Sequence, residues 1–446
     1  MTEFLIYSKR CFLLDAFQEA TIHIKNQKIL DIKKGYHTSA SIPFLDYQNL
    51  IVMPGIIDAH VHINEPGRES WEGFDTATKA AAVGGVTTLI EMPLNASPVT
   101  TNINALHQKL ESSKNKLHVN CGFYGGTIPT NKNDIEGLIN AGVFGIKGFL
   151  TPSGIDEFPN VTKLDLEAIA PVLKTHDIPL LLHCELTDTK VPEVTNTKSY
   201  QSYLNSRPQH WETNAIALAL DLQKKFDIKV HIVHLSASKG IEPIKERLNE
   251  TNKLTVETCP HYLFFNAETI PDESPIYKCA PPIREGANND KLWDFLLDNG
   301  FSFLGSDHSP APPERKQLES GDFFKAWGGI SGLQFTLPIL FSEGQKRGLQ
   351  LEKLIPLITR KPSEFLGINQ KKGTLAPGLD ADITVWDDTQ QFTISEASIE
   401  HKHKATPYLN HRVFGKVIHT FVNGVHVVEN SKLKTLNQGK ILLKDT

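Results

Sequence analysis

Short alternating runs open and close this chain, and between them lies a longer pattern of apolar runs separated by helical stretches. Residues 4–34 hold FLIYSK, CFLLDAF, ATIHIK and ILDIKKG, broken by polar turns. Alternation in ATIHIK puts its apolar side chains on one face, as in a small antiparallel sheet. From about residue 52 the pattern changes. Eight runs follow: GIIDAHVHI, VTTLIEMPL, LHVNCGFYG, VFGIKGFL, IPLLLHCEL, KVHIVHLS, KLTVETCPHYLFF and GFSFLGSDHS. Helical stretches such as FDTATKAAAVGG, KLDLEAIAPVLKTH, ETNAIALALDLQKKF and NNDKLWDFLLDNG lie between them. Strands rich in Val, Ile and Leu that alternate with helices call for a parallel sheet buried on both faces. Eight such units predict an α/β fold of the (β/α)8 TIM-like barrel type. After LEKLIPLITRKPSEFLG the chain returns to short strands, DADITVWDD, QFTISEA, KVIHTFVNGVHVV and GKILLKD. The expected organisation is a barrel over residues 53–368, with residues 1–52 and 369–446 pairing into one small discontinuous β-sandwich.

A barrel of this kind carries its chemistry at the C-terminal strand ends. Six residues of metal-ligand type fall there: His60, His62, Lys147, His183, His234 and Asp307. The two-residue spacing of His60 and His62 puts both imidazoles on one face of a strand, although an isolated His-x-His is also common on half-exposed strands. His234 is in phase with Val230 and Ile232 while His231 points the other way, which selects His234 and leaves His231 structural. His183 reads equally as a satisfied core histidine, and Asp307 as the cap of the loop SDHSP. Lys147 is the least ordinary member, because a lysine in an apolar strand is rarely buried without a partner. It either snorkels to the barrel rim or reacts as a neutral amine with CO2 to give a carbamate, an anion with two oxygens suited to bridging metals. Four imidazoles, that bridge and one aspartate can fill a two-metal site, and the donors suit zinc and neighbouring divalent metals. Two such ions can generate a bound hydroxide and polarise a carbonyl.

Composition narrows the setting. The formal charge of −5 and the absence of Lys/Arg blocks argue against a nucleic-acid or anionic-membrane partner. No run approaches the roughly 18 apolar residues that a membrane span needs. The start, MTEFLIYSKRCFLLDAF, lacks the ordered regions of a secretory signal. Five scattered cysteines without a Cys-x-x-Cys read as free thiols in a reducing cytoplasm.

The phrases PGIIDAHVHINEPG, AAAVGGVTTLIEMPLN, GIKGFL, VETCPHYL, SDHSP and KGTLAPGLDADITVWD resemble the cyclic-amidase branch of the amidohydrolase superfamily, from residue 53 to residue 388. That resemblance implies two divalent ions, most simply Zn2+, held by His60, His62, His183, His234, Asp307 and a carboxylated Lys147. It also implies Asp307 as the general acid–base, and a homo-oligomer, usually a homotetramer. HINEPGRESWEGF, MPLNASP, YLNSRPQHWETNAI, KCAPPIRE and KAWGGISGLQFTLP are similar to segments of the allantoinase subfamily of that branch. A small-molecule substrate follows, allantoin, whose hydantoin ring amide is opened to allantoate in purine degradation. Dihydroorotases usually carry arginine two residues after the His-x-His pair, where this chain has Asn64. An amide there suits a substrate without a carboxylate, and Asn95 and Ser309 are further polar candidates. Asn95 as a turn former and Ser309 as a helix cap are the ordinary alternatives. His261 and Cys279 are expected to line or buttress the pocket, and Trp327 to pack a loop or floor the substrate. Dihydroorotase, hydantoinase or dihydropyrimidinase, and a non-catalytic scaffold are the competing readings.

Overall fold

A computed structural model describes residues 3–187 and 194–444. Eight parallel strands form its centre: Ile56–Val61, Val86–Glu91, Asn120–Phe123 continuing into Gly125–Gly126, Ile146–Phe149, Leu180–His183, Val230–Ile232, Leu254–Thr258 and Phe303–Leu304. Each pairs in register with the next. The ring closes where Val61 bridges His308 in parallel and the His62 amide donates to the His308 carbonyl at 2.8 Å. The eight apolar runs therefore became eight barrel strands, because helices such as Phe74–Val83, Lys163–Thr175 and Gln209–Phe226 cover their outer face. Thr162 and Asp165 start the Lys163–Thr175 helix with a reciprocal capping box.

Strand register sorts the side chains into two populations. Leu180, Leu182, Val230, Ile232, Leu254 and Val256 join the main apolar cluster with helix residues such as Ile169, Ile216 and Ala219. The alternate positions Lys147, Leu181, His231 and Thr255 lie side by side in one row of the opposite face, with Phe149 and His183 paired in the row above. Rows of inward side chains are how a barrel of this size fills its interior. A lysine and a histidine sit in a row that apolar residues would ordinarily fill.

The two ends of the chain meet in one nine-stranded sheet. Its central strands are Arg412–Val422, Ile383–Thr393, Ile51–Pro54, Glu3–Leu13 and Ala16–Lys25, in that spatial order. One face buries Phe4, Ile6, Ile22, Ile24, Val52 and Val385 in a core of its own, and the other contributes Ile51, Met53, Trp386 and Val417 to the barrel cluster. Gly55 alone separates Ile51–Pro54 from the first barrel strand, and a Cβ there would meet Thr87 Oγ1 at 2.1 Å. The position therefore admits nothing larger, and the terminal sheet fixes where the first barrel strand begins.

Asp58 ties the first strand to the eighth. Its Oδ1 accepts the amides of His60 and Ser306, each at 3.1 Å. Hydrogen bonds to a buried carboxylate are worth more than neutral ones. Asp58→Ala is expected to cost about 3 kcal/mol of unfolding free energy in a denaturant titration; an unchanged midpoint would contradict its closing role.

Candidate metal centre

Five of the six expected ligands, His62, Lys147, His183, His234 and Asp307, line one cavity of about 610 Å³. His60 lies directly behind it, its ring centroid 5.5 Å from those of His62 and His234. The residues arrive there by different local routes. Lys147 and His183 point inward by strand alternation. His234 does not: Val230 and Ile232 face the helices, so a residue in phase with them would leave the barrel. His234 follows the strand end and takes a left-handed backbone with φ 40°, and this bend delivers it to the cavity. Asp307 is bent in the same way, with φ 45°. Side-chain-bearing residues other than Asn, Asp and Gly enter that region rarely and at a cost of about 1–3 kcal/mol. The expectation about His234 thus names a residue that does reach the cavity, but by a bend and not by strand phase. His231 points inward one row lower, stacked on Phe303 with its Nδ1 2.8 Å from Thr255 Oγ1.

Three of the four imidazoles are fixed from behind. His62 Nδ1 donates to the Leu94 carbonyl at 2.6 Å, His60 Nδ1 meets Glu257, and His183 Nε2 lies 2.9 Å from Glu185 Oε2. Such acceptors commit the ring proton and leave the opposite nitrogen with its lone pair. Those nitrogens converge. His60 Nε2 and His62 Nε2 lie 3.2 and 3.3 Å from Asp307 Oδ1, and His183 Nδ1 lies 3.0 Å from His234 Nε2. Lone pairs this close to a carboxylate require a second proton or a cation between them. Among the described residues, His60 Nε2, His234 Nδ1 and Lys147 Nζ have no hydrogen-bond partner. His60, His62 and Asp307 place their ligand atoms within 4.8 Å of one another, a grouping that can hold a metal ion. The donor set fits divalent metal: imidazole nitrogen, carboxylate oxygen and a buried amine with no counterion.

Charge states follow from burial and neighbours. Burial lowers the His62, His183 and His234 imidazoles, which keeps them neutral as ligands must be. Burial also acts on His60, but Glu257 and Asp307 outweigh it and lift the ring to about 9. For Asp307 burial pushes upward, yet the charge of His60 and the closeness of the His60 and His62 rings hold the carboxyl well below its ordinary range. Lys147 is fully buried, and burial brings its amine down to about 8 despite the opposing charges of Asp307 and Glu257. A substantial neutral fraction is what reaction with CO2 requires.

The outer residues divide. Asn95, Ser309, Cys279 and Trp327 line the cavity, with Trp327 edge-on to Trp71 at 4.9 Å. Asn64 does not: it is fully buried and its amide donates to the Pro310 carbonyl at 3.2 Å, so it braces the loop after Asp307 instead of facing a substrate. His261 also stays off the cavity wall. Glu257, Glu185 and the Leu94 carbonyl escaped the sequence reading. Two of them had a visible signal, since Glu257 and Glu185 are carboxylates inside or beside apolar strand runs, the same anomaly that singled out Lys147. Glu185 is held ionised by Arg207, which pairs with it through two nitrogens and overcomes the opposing effect of burial, bringing it to about 2.

Comparison with known proteins agrees with this geometry. The model of the Amidohydrolase family matches residues 51–427. An allantoinase of Arabidopsis thaliana is 40% identical over 99% of this chain and 91% of its own length. A Saccharomyces cerevisiae allantoinase is 42% identical over 85% of this chain and 83% of its own. Among solved structures, the L-hydantoinase (dihydropyrimidinase) of Arthrobacter aurescens superposes with a TM-score of 0.93 at 31% identity, covering 99% of this chain and 100% of that one.

With the His60 ring lifted to about 9, a metal taken up there would have to displace a proton below that pH. Metal affinity, measured by chelator competition, is expected to rise about tenfold per pH unit between neutrality and that point. A flat or falling profile would contradict the pairing of His60 with Glu257 and Asp307.

Proposed function

The chain belongs to the amidohydrolase family, and from that membership we propose that it hydrolyses the hydantoin ring amide of allantoin to give allantoate. The observation that carries the substrate is the run of identity to proteins named allantoinase, which extends over nearly the whole chain and exceeds that to the hydantoinase whose backbone it matches. Hydantoinase or dihydropyrimidinase activity is the second reading, favoured by that backbone match. Dihydroorotase is the weaker reading, because position 64 holds an asparagine that binds the Pro310 carbonyl and supplies no arginine for a carboxylate.

The proposed centre holds two divalent ions, zinc by donor type. His60, His62, His183, His234 and Asp307 would hold them, together with Lys147 as a carbamate. When bound, the ions supply positive charge that polarises the ring carbonyl and acidifies water. The chain's own residues do the rest. Asp307, ionised and at the cavity wall, accepts the proton of the attacking water and returns it to the departing ring nitrogen. Asn95 and Ser309 offer neutral hydrogen bonds to the ring and its ureido arm, which match a substrate without a carboxylate. Trp327 lines the cavity and is held there edge-on against Trp71. Among the described residues no helix is long and apolar enough to cross a membrane. A cytoplasmic homotetramer completes the proposal; five buried free thiols support the reducing compartment.

Hydrolysis of allantoin, dihydroorotate and hydantoin by the purified metal-loaded protein tests the substrate. Allantoin is expected to give the highest kcat/KM by at least about tenfold; preference for either of the others would overturn the proposal. In the same assay Asp307→Asn should lower kcat by about 100-fold or more while the protein still binds metal. Near-normal turnover in that variant would remove Asp307 from proton transfer.

A further inference from the structure

Behind the cavity wall, Cys259, His261 and Asp307 form a second group of potential ligands. All three are buried, and a thiol sulfur, an imidazole nitrogen and a carboxylate oxygen lie within 4.8 Å of one another. Topology explains the meeting. Cys259 follows the seventh barrel strand and caps the short helix Pro260–Phe264, while Asp307 follows the neighbouring eighth strand. Ligands bonded to one ion at about 2.0–2.3 Å lie at most about 4.6 Å apart, so the trio needs only small movement to close on a cation.

His261 supplies an independent reason to assign a ligand here. It is 1% exposed, and among the described residues neither ring nitrogen has a hydrogen-bond partner. Buried imidazoles normally satisfy at least one nitrogen, and leaving both bare costs free energy unless something else meets them. Substrate is excluded from that role, because neither His261 nor Cys259 lines the cavity. Asp307 belongs to both groups and is itself at the cavity wall, so an ion entering the cavity has a path to the trio.

We propose that Cys259, His261 and Asp307 form an inhibitory site for a thiophilic divalent cation, such as cadmium or excess zinc, distinct from the two ions of the catalytic centre. Sulfur selects the soft cation. On binding, the Cys259 thiol loses its proton to solvent and forms a sulfur–metal bond, His261 donates a nitrogen lone pair, and Asp307 contributes one carboxylate oxygen. Asp307 is then no longer free to accept a proton, and turnover stops. The inhibitory consequence rests on the role proposed for Asp307; the binding does not.

Titration of the metal-loaded holoenzyme with cadmium chloride tests both parts, with the ultraviolet thiolate-to-cadmium absorbance reporting binding and allantoin hydrolysis reporting inhibition. The wild type is expected to develop the absorbance as activity falls. Cys259→Ala should keep its basal turnover, show no such band, and need at least about tenfold more cadmium for inhibition. His261→Gln retains the thiol and should shift the midpoint in the same direction, which preserves the test if the alanine variant folds poorly. Cys279→Ala removes the thiol on the cavity wall and should respond as the wild type does. An unaltered response in Cys259→Ala, or loss of the response in Cys279→Ala, would overturn the site. A full band with undiminished turnover would overturn the inhibitory role, and absence of any allantoin hydrolysis in the wild type would strike the functional proposal while the absorbance still decides the binding.

Discussion

The constraint on which the rest of this structure turns is a lysine amine sealed inside a barrel with no partner. Lys147 is fully buried, its Nζ makes no hydrogen bond among the described residues, and it lies 5.1 Å from the centroid of the Phe149 ring. A buried ammonium in such surroundings is costly, and proteins answer the cost by pairing the charge or discharging it. Pairing has been passed over here. Asp307 and Glu257 act on Lys147 from a distance, but each carboxylate is already engaged with histidine. The answer proposed above is chemical: reaction of the neutral amine with CO2 would turn the least favourable residue of the barrel interior into an anion able to hold cations.

The surroundings are arranged to the same end. Glu257, Glu185 and the Leu94 carbonyl each take a proton from the far side of an imidazole and thereby aim the near side. Asp58 holds the backbone of His60 and of Ser306 at once, so the two strands that close the barrel also present three of the candidate ligands, His60, His62 and Asp307. The terminal sheet abuts this seam through Gly55, with no room for a side chain. Stability and site geometry therefore share residues. Removing any of these carboxylates would loosen the fold and misdirect a ligand together.

Much of this was legible in the chain. Eight apolar runs with helical spacers specify a barrel because periodicity reports burial on one face or two, and all eight became strands. Ligand-type residues at run ends stand out for the same reason, being polar where neighbours are apolar. Periodicity fails where the backbone leaves regular structure. Alternation sends His234 outward, and only a left-handed bend past the strand end brings it back. Asn64 looked substrate-facing from its spacing after His62, yet the loop holding Asp307 folds over it and takes its amide. Glu257 was invisible as a partner because 197 residues separate it from His60, and nothing local records that meeting.

The central claim is that Lys147 carries a carbamate joining two divalent ions. Carbon-13 NMR of the metal-loaded protein prepared under ¹³CO2 measures it directly. The account predicts a carbamate carbon resonance that is absent from Lys147→Ala and lost when the metals are stripped. Fully loaded, active protein with no such resonance would contradict it.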